Sequence, residues 1–119
     1  MKLNIQIIGT PKCKNTNKAI RFFKERGLKI HFVDLRERPI SKGELDNIKR
    51  IIPEEELIDC KGKEYEKRRL EYMLFDISEK LLETPLLLRT PIVRNGNKVT
   101  VGNEPDIWKK WITEAKNEQ

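Results

Sequence analysis

The strongest constraint on this chain is how quickly its residue pattern changes near the start. Leu3-Asn4-Ile5-Gln6-Ile7-Ile8 alternates apolar and polar residues and then turns wholly apolar, which predicts a strand entering a core. After the short run Gly9-Thr10-Pro11-Lys12-Cys13 the period becomes helical. Lys14 to Arg26 places Ala19, Ile20 and Phe23 on one face, and Gly27 supplies the stop. Leu28-Lys29-Ile30-His31-Phe32-Val33-Asp34-Leu35 follows as a second strand, rich in branched and aromatic residues. A strand, helix and strand joined by such short connections predict a right-handed crossover between two parallel strands.

Cys13 stands at the mouth of the strand-to-helix turn. A helix N-terminus offers unpaired backbone N–H groups and a partial positive charge, both of which favour an anion. The thiolate is the reactive form of cysteine and is itself an anion. With Lys12 and Lys14 on either side, the sequence describes a thiol whose pKa is lowered, as a nucleophile requires. The competing reading is a buried, inert core cysteine. Thr16, one turn further on, has two readings as well. Its hydroxyl donates to the thiolate, or it bonds the backbone of the first turn.

From Pro39 to Thr84 the character is helical, so a helical insertion is expected at about 39–84. Ser41 with Glu44 three residues later resembles a capping box for a helix running through Ile48 and Ile51. Pro53 and Gly62 interrupt it. Asp76 or Ser78 caps a short helix carrying Leu81 and Leu82, which Pro85 ends. The run Leu86-Leu87-Leu88 leads to Thr90-Pro91 and the strand Ile92-Val93. Asn95-Gly96-Asn97 forms a hairpin turn, and Lys98-Val99-Thr100-Val101 is the returning strand. Glu104-Pro105-Asp106 opens the last helix, in which Trp108, Trp111, Ile112 and Ala115 recur at core-packing spacing. The expected fold is α/β, a mixed four-stranded sheet in the order β-α-β, helical insert, β-β-α. It forms a single domain over residues 1–119.

Composition narrows the function classes. The net charge of +6 suits an anionic partner, but the basic residues alternate with acids, as in Arg36-Glu37-Arg38. That alternation reads as a solvated surface, so nucleic acid is not an expected partner. Two cysteines and one histidine supply neither a disulfide framework nor a zinc ligand set. No apolar leader or membrane-length segment is present in the sequence, and the expected location is cytoplasmic, where thiols stay reduced. Cys60 is the only other cysteine. It serves as a resolving thiol for Cys13 or is incidental, depending on whether the two come within the roughly 7 Å Cα separation that a disulfide tolerates. His31, between Ile30 and Phe32, reads as structural.

Several segments resemble the arsenate reductase (ArsC/Spx/YffB) family of thioredoxin-fold proteins. They are Gly9-Thr10-Pro11-Lys12-Cys13, Thr16-x-Lys18-Ala19, Leu86-Leu87-Leu88-Arg89-Thr90-Pro91-Ile92-Val93 and Val101-Gly102-Asn103-Glu104, which span nearly the whole chain in order. The resemblance implies a thioredoxin-like fold with Cys13 as nucleophile. It also implies a cis peptide before Pro91, with Thr90 lending backbone contacts near the thiol. Arg89 and Arg94 are the nearest arginines for anion binding, or else they are solvated strand ends. The chain departs from the family pattern in four places. Thr16 stands where Spx carries a second cysteine, and Asn17 where arsenate-reducing members place an arginine. The stretch 57–62 lacks a further family arginine. Thr90 replaces the arginine before the proline, and Arg89 sits one residue early, which in a strand means the opposite face. Lysine is a poor substitute for the bidentate grip of such arginines.

The leading expectation is therefore a thiol oxidoreductase. Cys13 forms a covalent intermediate that glutathione, a thioredoxin-type reductant or Cys60 resolves, with no tightly bound cofactor. The alternative is an Spx-like regulatory adaptor that binds RNA polymerase or another protein with little catalysis. Arsenate reduction itself is the third reading.

Overall fold

A computed structural model describes residues 3–117. Four strands form one sheet in the order β2-β1-β3-β4, with β1 at Ile5–Gly9, β2 at Ile30–Asp34, β3 at Ile92–Asn95 and β4 at Lys98–Val101. Strands β1 and β2 run parallel, and β3 lies antiparallel to both β1 and β4. The first helix, α1, spans Lys14–Glu25 and joins the parallel pair as expected. It ends where the sequence stops it. Gly27 takes φ +74°, the Gly27 N–H bonds the Lys24 carbonyl, and the Leu28 N–H bonds the Phe23 carbonyl. Those two bonds satisfy carbonyls that a helix end otherwise leaves unpaired.

The chain divides into two compact units, Met1–Asp34 with Thr90–Gln119, and Leu35–Arg89. The first holds the sheet, α1 and the last helix, Pro105–Asn117. Alternation along the strands sends Ile5, Ile7 and Val93 to one face, where they meet Ala19 and Phe23 of α1 and Trp108, Trp111 and Ile112 of the last helix. Phe23 and Trp108 are fully buried, with ring centroids 5.5 Å apart. The indole N–H of Trp108 donates to Thr100 Oγ1 at 2.8 Å, so its one polar group is satisfied inside the core.

The second unit contains the helical stretch expected at 39–84. Its helices are α2 (Lys42–Lys49), α3 (Glu54–Leu57), α4 (Lys63–Lys67) and α5 (Ile77–Glu83), with 3₁₀ turns at Leu70–Tyr72 and Pro85–Leu87. The last helix of the chain is then α6. Ser41 and Glu44 form the complete capping box, and Asp76 Oδ1 accepts the Glu79 N–H at 2.9 Å. The helix expected through Ile51 stops at Lys49, and Ile51 is half exposed. Pro53 disfavours helical geometry in the residue before it, which ends the run early. The run Leu86-Leu87-Leu88 becomes a turn followed by a one-residue antiparallel bridge. The Asp59 N–H bonds the Leu87 carbonyl at 2.8 Å, and the Arg89 N–H bonds the Leu57 carbonyl at 2.7 Å. Among the described residues no helix is long and apolar enough to cross a membrane.

A candidate thiol site at the start of the first helix

Cys13 is the N-cap of α1, with φ −79° and ψ 118°. The turn before it is closed by a Cys13 N–H to Thr10 carbonyl bond of 3.1 Å. It is braced by the Asn17 side-chain amide, which donates to the Pro11 carbonyl at 2.9 Å. An N-cap side chain lies near the first unpaired N–H groups of the helix, and here the sulfur closes no cap hydrogen bond with them, so they act on it as a field rather than as a clasp.

Thr90 reaches the same sulfur from 77 positions away, because β3 pairs with β1. Its hydroxyl donates to Cys13 Sγ at 3.0 Å, and its carbonyl accepts from the thiol at 3.7 Å. The Thr90–Pro91 peptide is cis, and the Pro91 carbonyl is taken by the Gly102 N–H at 2.8 Å. The backbone approach expected of Thr90 is present. Its hydroxyl contact was not foreseen.

Partial burial pushes the Cys13 thiol up. The Thr16 and Thr90 hydroxyls and the backbone N–H groups of Thr16 and Asn15 outweigh that and hold it below its ordinary value. The expected direction is present with a different cause. Lys12 and Lys14 are exposed and are not among the groups that lower the thiol. Short-range hydrogen bonds in a half-buried site act more strongly than flexible ammonium groups screened by water.

Thr16 is fully buried, and its Oγ1 has no well-formed hydrogen bond among the described residues. The hydroxyl nonetheless faces the sulfur closely enough to favour the thiolate. A donor left idle beside a neutral thiol gains a strong acceptor when the proton departs. Its position depends on Gly9, which sequence reading passed over as a turn residue. A Cβ at Gly9 would overlap the Thr16 side chain, lying 2.8 Å from Cγ2. Nothing in the local pattern marks that approach, since it is set by the angle at which α1 leaves β1.

The other expected residues lie elsewhere. Arg94 pairs in register with Gln6, three residues before Gly9 on β1, so it sits about 10 Å along the strand from the thiol end. Arg89 belongs to the second unit, where its guanidinium donates to the Glu56 carbonyl at 3.0 Å. Cys60 is exposed in that unit, and both cysteines carry free thiols. Among the described residues no cluster of three or more His, Cys, Asp or Glu side chains could hold a metal ion.

Comparison with known proteins bears on the family and the fold. The chain is 30% identical over 103 residues to the uncharacterized protein YusI of Bacillus subtilis, covering 81% of this chain and 87% of that one. It is 28% identical over 109 residues to the global transcriptional regulator Spx 2 of Oceanobacillus iheyensis, covering 87% and 80%. Among solved structures, a YffB protein superposes with a TM-score of 0.80 at 19% identity, covering 90% of this chain and 97% of the other. An arsenate reductase from Vibrio cholerae gives 0.78 at 18% identity, with coverage of 92% and 98%. These structures share the thioredoxin-like fold. The ArsC family profile matches residues 8–111, nearly the whole chain, and the protein belongs to the ArsC family.

Proposed function

We propose that this protein is a thiol-dependent oxidoreductase with Cys13 as the attacking thiolate, working in a reducing, cytoplasmic setting. The observation that carries the reading is the Thr90 hydroxyl, which donates to the Cys13 sulfur at 3.0 Å where that sulfur caps the start of α1, with the Thr16 hydroxyl and the first backbone N–H groups of the helix close by. All of them favour the charged form, and the thiolate is the nucleophile.

In the proposed cycle Cys13 Sγ⁻ attacks one sulfur of a substrate disulfide. The new S–S bond joins Cys13 to that half, and the other half leaves as a thiolate that takes a proton. A thiol of glutathione or a thioredoxin-type protein then attacks the substrate-side sulfur, forms a disulfide with that half and releases Cys13 as the thiolate; a second such thiol frees the half. Where Cys60 resolves instead, it attacks Cys13 Sγ, the substrate half leaves as a thiolate, and two external thiols reduce the Cys13–Cys60 disulfide. The electrons come from that pair of external thiols, so the site needs no resident cofactor. Thr90 and Thr16 stabilise the thiolate both before attack and on release.

The test is the pH dependence of Cys13 alkylation, with Cys13→Ser as control. A midpoint clearly below the free-thiol value of about 8.5 supports the reading, and a midpoint at or above it overturns it. Loss of turnover in Cys60→Ser under saturating glutathione would assign resolution to Cys60.

A second reading, a regulatory adaptor that binds RNA polymerase or another protein, is favoured by the 28% identity to Spx 2. A stoichiometric complex that survives Cys13→Ser would support it. Arsenate is the less favoured substrate, because no guanidinium is among the groups that stabilise Cys13. Arsenate-dependent oxidation of glutathione by the protein would reverse that ranking.

A further inference from the structure

Arg94 is left without a role by the thiol site, and its surroundings suggest a second one. Register places Gln6, His31 and Arg94 side by side across β2, β1 and β3 on the same face of the sheet. With Asn4 and Gly96 they line a cavity of about 230 Å³. All five belong to the first unit. Among the described residues the cavity is lined by one fixed cation, one imidazole and two carboxamides, with no carboxylate to balance the charge.

The Arg94 guanidinium is only partly engaged. Its Nη1 donates to Gln6 Oε1 at 3.2 Å, while Nε is buried without a partner among the described residues. Buried N–H groups are almost always paired, and one on a cation is costly to leave idle. The edge of a guanidinium that carries Nε meets carboxylate and phosphate oxygens side-on with two parallel hydrogen bonds. His31 is exposed at the rim and offers a ring N–H even when neutral. The Asn4 backbone N–H is held by Asn95 Oδ1 at 3.3 Å, which ties the start of β1 to the end of β3 beside the cavity.

We infer that the cavity formed by Asn4, Gln6, His31, Arg94 and Gly96 is a binding site for a small oxyanion, gripped by Arg94 and separate from the Cys13 site. Gln6 orients the guanidinium. Its amide oxygen accepts from Nη1 and holds the guanidinium in place, which leaves the Nε edge for a charged oxygen that bonds a guanidinium about twice as strongly as a neutral one. The space, smaller than a usual drug-sized pocket, matches a small organic acid or inorganic phosphate.

The experiment follows the His31 ring protons by NMR at fixed pH and ionic strength while acetate, inorganic phosphate or chloride is titrated into the whole protein. Saturable shifts with acetate or phosphate but not chloride are expected, and whichever saturates at lower concentration names the class of oxyanion. Arg94→Gln should weaken that binding at least tenfold. Gln6→Glu, which supplies an internal carboxylate to the same guanidinium, should abolish it and guards against a folding defect in the first variant. Both variants should leave the Cys13 alkylation midpoint unchanged, so failure here is distinguishable from failure of the thiol mechanism. Linear shifts with every salt, or unaltered binding in both variants, would overturn the assignment.

Discussion

The two units of this protein are stabilised by different means. In the first, partners far apart in sequence meet through strand register, and the core closes on large rings such as Phe23 and Trp108. In the second, buried aliphatic side chains such as Leu45, Leu57, Leu81 and Leu87 come from short helices whose ends are fixed locally. A capping box, an Asp76 cap and short helices are tied together at Ile58 and Leu88 by a one-residue bridge. Cys13 belongs to the register-built unit. Its geometry is therefore only as good as the β1–β3 pairing, which makes precise alignment expensive to lose.

The largest expected effect tests that contrast directly. Phe23→Ala removes a fully buried ring and should cost about 3–5 kcal/mol of stability. Ile51→Ala in the second unit, at a half-exposed side chain, should stay within about 0.5 kcal/mol. Urea denaturation of both variants would measure the difference, and similar costs would break the comparison.

Next in size is Gly9→Ala. The added methyl must displace Thr16, with a cost of about 1–3 kcal/mol typical of overpacking. It should also move the Cys13 alkylation midpoint upward. Loss of stability without that movement would detach Thr16 from the thiol. In the second unit, Ser41→Ala and Asp76→Ala each remove a cap and should cost about 1 kcal/mol. The two sites share no hydrogen-bond partner, so the double variant should be close to additive.

Thr90→Val keeps the shape of the side chain and removes a donor. Its main effect should be on the chemistry, with the midpoint rising toward that of a free thiol. Linkage supplies a matching stability signature. The folded-state thiol is held low, so the unfolded chain keeps its proton to higher pH. Stability should then rise as pH climbs through the lowered folded value, with the gain complete above about 8.5. In Thr90→Val that rise should shrink. The smallest effect is at acid pH. Partial burial raises the Glu44 carboxyl, but bonds from the Ser41 N–H, Arg38 and the Ser41 hydroxyl hold it below its usual range. Its contribution is therefore present above the ordinary carboxylate pKa and lost as pH falls through the lowered folded value, and Arg38→Ala, which removes two of the bonds to the carboxylate, should reduce that dependence.

Most of the architecture could be read from residues. Alternation in Ile5–Ile8, the stop at Gly27, the Ser41-Glu44 pair and the Asn-Gly hairpin each leave a local chemical trace. The cis peptide at Pro91 and the nearness of Thr90 to Cys13 came through family resemblance, because the residues alone say little about a contact across 77 positions. The short helices at Glu54–Leu57 and Lys63–Lys67 were missed as separate elements, since one turn is too brief to show a period. The clamp of Gly9 on Thr16 and the pairing of Arg94 with Gln6 were invisible for another reason. Both follow from the angle and register of elements in space. The flanking lysines show the opposite error, a charge conspicuous in sequence and spent in solvent.

The aromatic residues give the two units separate optical labels. Both tryptophans, Trp108 and Trp111, lie in the first unit, whereas both tyrosines, Tyr65 and Tyr72, lie in the second. Trp108 is enclosed with its indole N–H bonded to Thr100, so its emission should shift to longer wavelength when the sheet opens. Tyr72 is largely exposed and Tyr65 lies against Phe75, so tyrosine signals follow the helical unit alone. One unmodified sample therefore reports on both halves at once. Coincident tryptophan and tyrosine transitions mean a single cooperative unit, and separated ones mean that the thiol-bearing sheet melts on its own terms.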